Sequence, residues 1–348
     1  MYIIMAILGF SLLVIVHELG HFIMAKANGI KVEEFSIGMG PEILSKKGKE
    51  TQYSLRLFPI GGYVKMLGEE EVSDDERSFS SKSPLRRISV ILAGVTMNII
   101  FAIVAFSIII SNRGYAEPVI SKLADNSPAI EAGLEVGDRI LKIDGSKVFT
   151  TTDVSMGIQM AKGDAVELVV NRNGNKENIT VTPKLVDQDG SQIYQIGFYY
   201  TPVENPSIIQ SIKESFNETI SLVTQTYKSL VMMVTGKVNF KTDVGGPVTI
   251  IKMSTQVAKN GLLSLTYFLG FLSINLAVFN LLPLPGLAGF EIFRDIWPKT
   301  FYKVSDKIYQ YQFLILILIV LIGGTILSIP VNLIYNFFYT IAKLIFGM

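Results

Sequence analysis

The sequence predicts a multi-span α-helical membrane protein with four transmembrane helices, a membrane-associated β-sheet and an inserted, β-rich extracytoplasmic domain. Three observations predict this fold class. Apolar residues make up 49% of the 348 residues and charged residues only 18%, and the mean hydropathy of +0.42 is too high for an ordinary soluble protein. Four apolar stretches are long enough to cross a bilayer. Between them lie turn-rich segments with short β-type runs.

Composition also excludes several classes of function. The net charge of +1 gives no electrostatic reason to expect a nucleic-acid partner. The chain has no Cys, which excludes a disulfide framework, a thiolate zinc site, a Cys nucleophile and iron–sulfur chemistry. Only two His are present, so their position carries much of the functional argument.

The four apolar stretches are predicted to be membrane helices, because backbone groups cannot stay unpaired in lipid. They are about residues 2–25, 88–110, 262–282 and 313–335. A cleaved signal peptide is the alternative for the first stretch. No Lys or Arg precedes it and no small-residue cleavage site follows it, so we favour a retained membrane helix.

Orientation follows from the Lys and Arg residues in short loops. Segment 26–87 contains eleven of them, and segment 294–307 contains four. Both segments are therefore predicted to be cytoplasmic. The N-terminus, residues 112–260 and the C-terminus then face outward.

Two kinds of β-type sequence lie between the spans. Runs at 31–37, 52–57 and 60–66 are apolar and punctuated by glycine, and they predict a sheet that either dips into the membrane against protein or forms a cytosolic hairpin. Residues 115–200 show turn signals between short β runs, which indicates a small soluble domain. Residues 206–234 have apolar side chains at helical spacing and predict an amphipathic helix that packs on a domain or on the membrane surface.

The sequence HELGH at 17–21 lies inside the first predicted span. His17 and His21 are four residues apart on a helix, so they project from one face as two ligands of one metal must. Glu18 can reach a water there as a general base, and Gly20 leaves room for a neighbouring backbone. Polar side chains are costly in a membrane helix and are usually functional. We therefore favour metal binding over the alternative, in which these side chains only reach toward the membrane interface.

The chain resembles the site-2 protease family of intramembrane zinc metalloproteases, in the bacterial form with one PDZ domain. The resemblance rests on VHELGHFIMAKANGIKVEEFSIGMGP at 16–41, FPIGGYVKMLGE at 58–69, SPAIEAGLEVGDRILKIDG at 127–145, GGPVTI at 245–250 and LSINLAVFNLLPLP at 272–285. It implies two spans with HELGH and the β segment (1–111), a PDZ domain (112–204), an amphipathic helix and linker (205–260) and two last spans with the NLLPLP motif (261–348).

The resemblance implies that His17 and His21 hold Zn²⁺ and that Glu18 is the catalytic base. It further implies a location in the bacterial cytoplasmic membrane, with the active site toward the cytoplasmic side. The implied substrates are single-span membrane proteins, for example anti-sigma factors or signal-peptide remnants. The side-chain amides of Asn275 and Asn280 are candidates for binding the substrate backbone, or alternatively bond within the helix bundle. Pro283 and Pro285 are expected to break the third span and bring the following loop to the metal.

The chain departs from the family at the third zinc ligand. The family has Asp-Gly two residues after N-x-x-P-x-P, whereas this chain has Ala288 followed by Gly289. A methyl group cannot bind zinc, and a catalytic zinc site ordinarily has three protein ligands. Glu291, one helical turn further on, is a possible substitute, and Asp295 is a weaker one. The alternative is a catalytically impaired relative that binds membrane proteins without cutting them.

Overall fold

The structure is a computed structural model that describes residues 1–69, 71, 73–188, 191–234, 247–282, 285–301 and 305. The chain divides into two compact units. The first contains Met1–Ala105 and the described residues from Ser229 to 305, and the second contains Phe106–Lys228. The fourth predicted span, about 313–335, lies outside the described residues.

Three described helices are long and apolar enough to cross a membrane, as predicted. They are α1 (Tyr2–Ala27), α2 (Pro84–Arg113) and α7 (Leu262–Asn280). Gly20 in α1 lies so close to α2 that a Cβ there would be 2.4 Å from the carbonyl oxygen of Ala93. The room that the sequence predicted at Gly20 is therefore taken up by the neighbouring helix.

A β unit connects α1 to α2. It consists of β1 (Val32–Lys47) and β2 (Gln52–Met66), which pair through residues 32–37 with 62–66 and through residues 42–47 with 52–56. Residues 34–37 also lie beside 52–55, so the two long strands form a broad curled sheet. Its outer part exposes large apolar side chains. They include Ile37, Met39, Ile43, Leu44, Leu55, Leu57 and Phe58.

The turn between these strands is tied to the end of α1 by charge. Lys26 and Arg77 both donate to the Glu50 carboxylate, and these hydrogen bonds lower the pKa of Glu50. A compact apolar cluster lies at the same end of α1. Its buried members are Ala25, Ile30, Val32, Val64, Met66, Phe79, Val90 and Ile91. This cluster joins the end of α1, the sheet and the start of α2, and it therefore fixes their positions relative to one another.

The first unit also contains the helices α6 (Pro247–Lys259) and α8 (Ala288–Ile296). Helix α8 is held to the start of α2 by a buried ion pair. The Arg87 guanidinium donates to both carboxylate oxygens of Asp295, at 2.8 and 3.0 Å. The Asp295 side chain is only 1% exposed, so this pair fixes where α8 lies.

The second unit contains a β domain. Its elements are β3 (Tyr115–Leu123), α3 (Pro128–Glu131), β4 (Arg139–Ile143), β5 (Ser146–Lys147), α4 (Thr151–Ala161), β6 (Val166–Arg172), β7 (Asn175–Val181), β8 (Lys184–Gln188), β9 (Ser191–Gln195) and β10 (Phe198–Val203). The main sheet has the order β10-β3-β4-β6-β7, with β5 on β4, and β8 pairs with β9. These strands agree with the short β runs expected within residues 115–200.

Alternating side chains of this sheet form the core of the β domain together with α4. The buried residues include Ile120, Ile140, Val154, Leu168 and Val170. The Arg172 guanidinium donates to both oxygens of the buried Asp138, at 2.8 and 2.6 Å, and to the carbonyl oxygen of Gly133. These bonds fix the loop that precedes β4 against the end of β6.

Helix α5 (Ile208–Val234) confirms the predicted amphipathic helix but buries its polar side. Ser215, Thr219, Ser221 and Gln225 are buried, whereas the apolar residues on the other side are exposed. The exposed ones are Ile208, Ile209, Ile212, Phe216, Ile220 and Tyr227. Ser221 and Gln225 donate to Asp153 at the start of α4, at 2.7 and 3.2 Å, so hydrogen bonds join α5 to the β domain.

Candidate metal centre

The two histidines of the chain converge. His17 and His21 occupy adjacent turns of one face of α1, as the four-residue spacing predicts, and their rings meet edge to face with centroids 4.8 Å apart. The two Nε2 atoms are 3.2 Å apart. Two nitrogens bound to one tetrahedral zinc ion at about 2.0–2.1 Å are separated by about 3.3 Å. The pair therefore has the spacing of two ligands of one zinc ion.

The opposite nitrogen of each ring is held by α2. His21 Nδ1 lies 2.8 Å from the carbonyl oxygen of Val90, and His17 Nδ1 lies 3.1 Å from Nδ2 of Asn98. Partners of this kind fix the orientation of a metal-binding imidazole. Asn98 is buried, and its Oδ1 atom has no hydrogen-bond partner among the described residues.

Gly94 leaves the space in front of the two rings open. It lies on α2, one helical turn before Asn98. A Cβ at this position would be 2.5 Å from His21 Nε2 and 2.7 Å from His17 Nε2. Those distances are below any real nonbonded Cβ contact, and the methyl group would lie where both lone pairs point. Only glycine leaves this volume to an ion.

Glu18 lies beside the pair and faces the sheet. Its Cγ atom is 3.9 Å from where a Cβ on Gly62 would be, and its carboxylate lies near the backbone of Val64. Gly62 and Val64 belong to the last part of β2, which among the described residues pairs with β1 on one side and with no strand on the other. The carboxylate and the unpaired side of this strand are thus close together.

The donor set is incomplete on the α8 side. Ala288 is the first residue of α8 and packs against the apolar cluster at the end of α1. The Glu291 carboxylate forms an ion pair with Arg294, and Asp295 is paired with Arg87. Among the described residues, no group of three or more His, Asp or Glu side chains has a geometry that holds a metal ion. His17 and His21 fit two ligand positions of one zinc ion. No His, Asp or Glu side chain elsewhere among the described residues completes a set of three ligands with them.

The other candidate residues lie at or near the end of α7. Asn275 is buried and donates to the carbonyl oxygen of Phe271 in the same helix, at 2.8 Å. Asn280 is the last residue of α7 and is partly exposed. Pro285 is buried in the loop before α8, and Pro283 lies outside the described residues. The helix ends where the proline-containing sequence begins, as expected from the missing backbone donor of proline.

Sequence reasoning missed the contribution of α2. Gly94 and Asn98 are four residues apart and therefore share the face of α2 that meets the histidines. A signal for them was present, because Asn98 is an amide in the middle of a predicted membrane helix, where polar side chains are usually functional. The backbone carbonyl of Val90 carries no sequence signal.

Comparisons with known proteins agree with this geometry. The family model described as Peptidase family M50 matches residues 5–323. A protein of Clostridium perfringens is 53% identical over 296 residues, covering 85% of this chain and 88% of its own, and one of Campylobacter jejuni is 33% identical over 328 residues, covering 88% and 86%. Both carry the name "Putative zinc metalloprotease". The Regulator of sigma-W protease RasP of Bacillus subtilis is 31% identical over 365 residues, covering 80% and 86%.

Proposed function

The chain belongs to peptidase family M50, and from this premise we propose that it is a zinc metalloprotease that cuts peptide bonds within membrane-spanning helices of other proteins. The observation that carries the proposal is the convergence of His17 and His21 beside Glu18, inside a helix long enough to cross a membrane. Polar side chains within a membrane-spanning helix lower its stability in the bilayer, and they usually mark a functional site.

In this proposal, His17 and His21 hold the zinc ion through their Nε2 atoms. When bound, zinc supplies Lewis-acid chemistry at the scissile carbonyl and makes water more acidic. Glu18 takes the proton from the attacking water and passes it to the leaving amine. The apolar helices around the histidines limit the access of bulk water, which strengthens the electrostatic interactions of these groups.

The unpaired side of β2 at Gly62 and Val64 supports a mode of substrate binding. A helical substrate must unwind before its carbonyl groups can react, and an extended peptide can add to a free strand edge through backbone hydrogen bonds. Because Glu18 faces this same strand, a peptide bound there lies beside the base. Asn280 and Pro285, at and just after the end of α7, are further candidates for contacts with such a peptide. Asn275 would reach it only by giving up its bond to Phe271.

We further propose that the β domain is a PDZ domain on the outer side of the membrane, which selects substrates by their outward-facing ends. The sequence of residues 132–138 and the strand order of its six-stranded main sheet support this assignment. The substrates are then single-span proteins of the cytoplasmic membrane, cut near its cytoplasmic side. RasP, the relative from Bacillus subtilis, is named as a regulator of sigma-W, and we extend that role to this chain in the form of an anti-sigma-factor substrate.

Ala288 favours a second candidate function. A chain with only two zinc ligands would bind zinc weakly and hold membrane proteins on its strand edge and β domain without cutting them. The candidates differ in zinc content and in turnover.

The experiment measures both quantities on the full chain in lipid vesicles. Wild type, Glu18→Gln and Ala288→Asp are purified, their zinc content is determined by mass spectrometry, and cleavage of a co-reconstituted single-span reporter is followed. The protease proposal expects zinc and cleavage in the wild type, and cleavage lost in Glu18→Gln with zinc retained. Zinc and cleavage only in Ala288→Asp would contradict the protease proposal and establish the binding protein.

A further inference from the structure

The sheet of β1 and β2 has four strand segments, although only two strands build it. Residues 32–37 of β1 lie between two segments of β2, residues 62–66 on one side and residues 52–55 on the other. Residues 42–47 of β1 pair with the outer side of the 52–55 segment and complete the sheet. Residues 62–66 therefore form an edge strand, which among the described residues has a neighbour on one side only.

The chain enters the edge strand through a bend that contains glycine. Gly61, at φ 86°, directly precedes the edge strand, and the carbonyl oxygen of Pro59 contacts the Ser11 hydroxyl of α1. Ser11 lies six residues before His17, about 9 Å along the helix axis, so the bend lies beside the candidate membrane span. A glycine at positive φ restricts the backbone little. Contacts beyond this bend must therefore fix the position of the edge strand.

Arg56 connects the edge strand to the rest of the sheet. Its guanidinium donates to the Tyr63 hydroxyl on the edge strand, at 2.6 Å, and to Glu34 Oε1 on the neighbouring segment of β1, at 2.8 Å. It also donates to Ser36 Oγ at 3.1 Å and to the carbonyl oxygen of Gly40 at 2.8 Å. These bonds use four of the five N–H donors of the guanidinium. Arg56 is therefore placed to hold the sheet segments together rather than to bind an incoming peptide.

The cluster around Arg56 carries charge level with the candidate active site. Tyr63 follows Gly62, which lies beside Glu18 in the candidate membrane span α1. The side chains of Arg56 and Glu34 are only 21% and 16% exposed. Charged side chains at membrane depth are unfavourable and usually mark a functional site. Successive side chains of a strand point to opposite faces, so the cluster lies on the face away from Glu18 and acts on it only through the position of the strand.

We propose that Arg56 is a positioning residue that fixes the edge strand relative to Glu18, so that a peptide added to this strand presents one particular peptide bond to the base. The inference rests on the proposed binding of substrate to the strand edge. Neighbouring carbonyl groups of an extended peptide are about 3.3 Å apart along the chain. A displacement of the edge strand by a fraction of this distance therefore moves the scissile carbonyl out of place.

The test uses the absence of Cys from the sequence, because a single introduced thiol is then unique. Full-length Glu18→Cys protein in lipid vesicles, stripped of metal with EDTA, is oxidised together with single-span reporters that carry one Cys at successive positions. We expect the disulfide yield to peak at one reporter position, with little at its two neighbours, whose side chains point to the other face. Adding Tyr63→Phe should lower the ratio of the peak to its neighbours about tenfold, the effect of one hydrogen bond to a charged group. Adding Arg56→Gln should lower it at least as far.

Three further variants separate this link from the charge of the sheet. Glu34→Gln leaves the charge of Arg56 uncompensated and should broaden the pattern. Glu42→Gln is the matched control, because this carboxylate accepts from Gln52 at 2.9 Å on the segment furthest from the edge strand, and it should leave the pattern unchanged. Arg56→Lys keeps a charge beside Glu34 but lacks the planar fork, so it should not restore the pattern.

Cleavage kinetics with Glu18 intact give a second measurement. Arg56→Gln should lower kcat by about 100-fold, the effect of a misplacement of about 1 Å at the reacting atoms. KM should change little, because the backbone groups of the edge strand are still available. Zinc content should not change, because His17 and His21 are oriented by α2. A variant that is only less stable would contain less folded protein but would keep the cross-link pattern.

The proposal is overturned if Tyr63→Phe and Arg56→Gln keep the sharp peak, or if no peak is present before they are introduced. Equal broadening in Glu42→Gln and Glu34→Gln would also overturn it, as would full restoration by Arg56→Lys, because compensation of charge would then be sufficient. The cross-links form without zinc and without turnover. A chain that shows the expected patterns but cuts no reporter would therefore contradict the protease proposal and leave this one standing.

Discussion

The two sides of the candidate metal centre, α1–α2 and α8, are built differently. On the α1–α2 side, His17 and His21 are oriented by Asn98 and Val90, and Gly94 leaves the space before them open. On the α8 side, the first helical residue is Ala288, and the nearby acids Glu291 and Asp295 are already paired with arginines. The α1–α2 side presents two convergent nitrogen atoms, whereas the acids on the α8 side form ion pairs, one of which holds α8 to α2.

The proposed metal binding and the positioning of α8 depend on different residues. The buried pair between Arg87 and Asp295 fixes α8 whether or not its first residue carries a ligand. Loss of a carboxylate at position 288 therefore need not disturb the fold around it. The lack of a carboxylate weakens zinc binding instead, because two neutral imidazoles leave the charge of Zn²⁺ uncompensated in apolar surroundings.

The largest effect is expected from Glu18→Gln. If the α1–α2 side carries the chemistry, loss of the base should lower the rate of reporter cleavage by about 10²–10⁴-fold. Zinc content should not change, because the histidines and their partners are intact. Cleavage in lipid vesicles and zinc content by mass spectrometry check both statements. Retention of more than a tenth of the wild-type rate would show that another group accepts the proton.

Gly94→Ala tests the open space directly. Its Cβ would be 2.5 and 2.7 Å from the two Nε2 atoms, so we expect zinc affinity to fall by more than about 100-fold, beyond the effect of losing an outer hydrogen bond. Competition with a fluorescent chelator measures the affinity. The matched control is Thr96→Ala, on the same helix, whose exposed hydroxyl donates to the carbonyl oxygen of Leu92 within α2. Equal zinc affinity in Gly94→Ala and wild type would exclude this site for the ion.

Ala288→Asp should make the two sides alike. A carboxylate here supplies a third donor and a negative charge, and it also favours the start of α8 through the helix dipole. We expect zinc affinity to rise by about 100-fold, the upper end of what outer partners contribute. The same chelator competition measures it. Ala288→Asn is the control without the charge. No gain in either variant would show that position 288 does not face the metal.

The sequence predicted the α1 part of the centre because spacing on a single helix determines it. Four residues separate His17 from His21, and this alone puts them on one face. The contribution of α2 depends on which of its faces packs against α1. The close approach of the two helices at Gly20 determines that face. No local pattern encodes such a pairing. The same applies to α5. Its predicted apolar stripe is present but exposed, and its opposite, polar side is buried and donates hydrogen bonds to Asp153.

The acids of α8 show the same limit. Glu291 and Asp295 were candidate ligands because helical spacing puts them one and two turns after position 288. Their ion pairs depend on Arg294, three residues from Glu291, and on Arg87, which is far away in sequence. The nearer partner could have been recognised from the sequence alone, whereas the Arg87 pair follows only from the packing of α8 on α2.

The smallest effect is expected from Glu291→Gln. Its carboxylate is 37% exposed and paired with Arg294 on the surface of α8, so the change should lower the free energy of unfolding by only about 0.3–0.5 kcal/mol. Zinc affinity should stay within about twofold, a small fraction of the 10–100-fold that outer partners contribute. Asp295→Asn is the informative companion, because it strands the partly buried Arg87 and should cost about 3 kcal/mol, the lower end for a broken buried pair. Thermal unfolding and chelator competition on both variants separate stability from ligation. A loss of zinc in Glu291→Gln without a loss of stability would mean that α8 does contribute a ligand, and the contrast between the two sides would no longer hold.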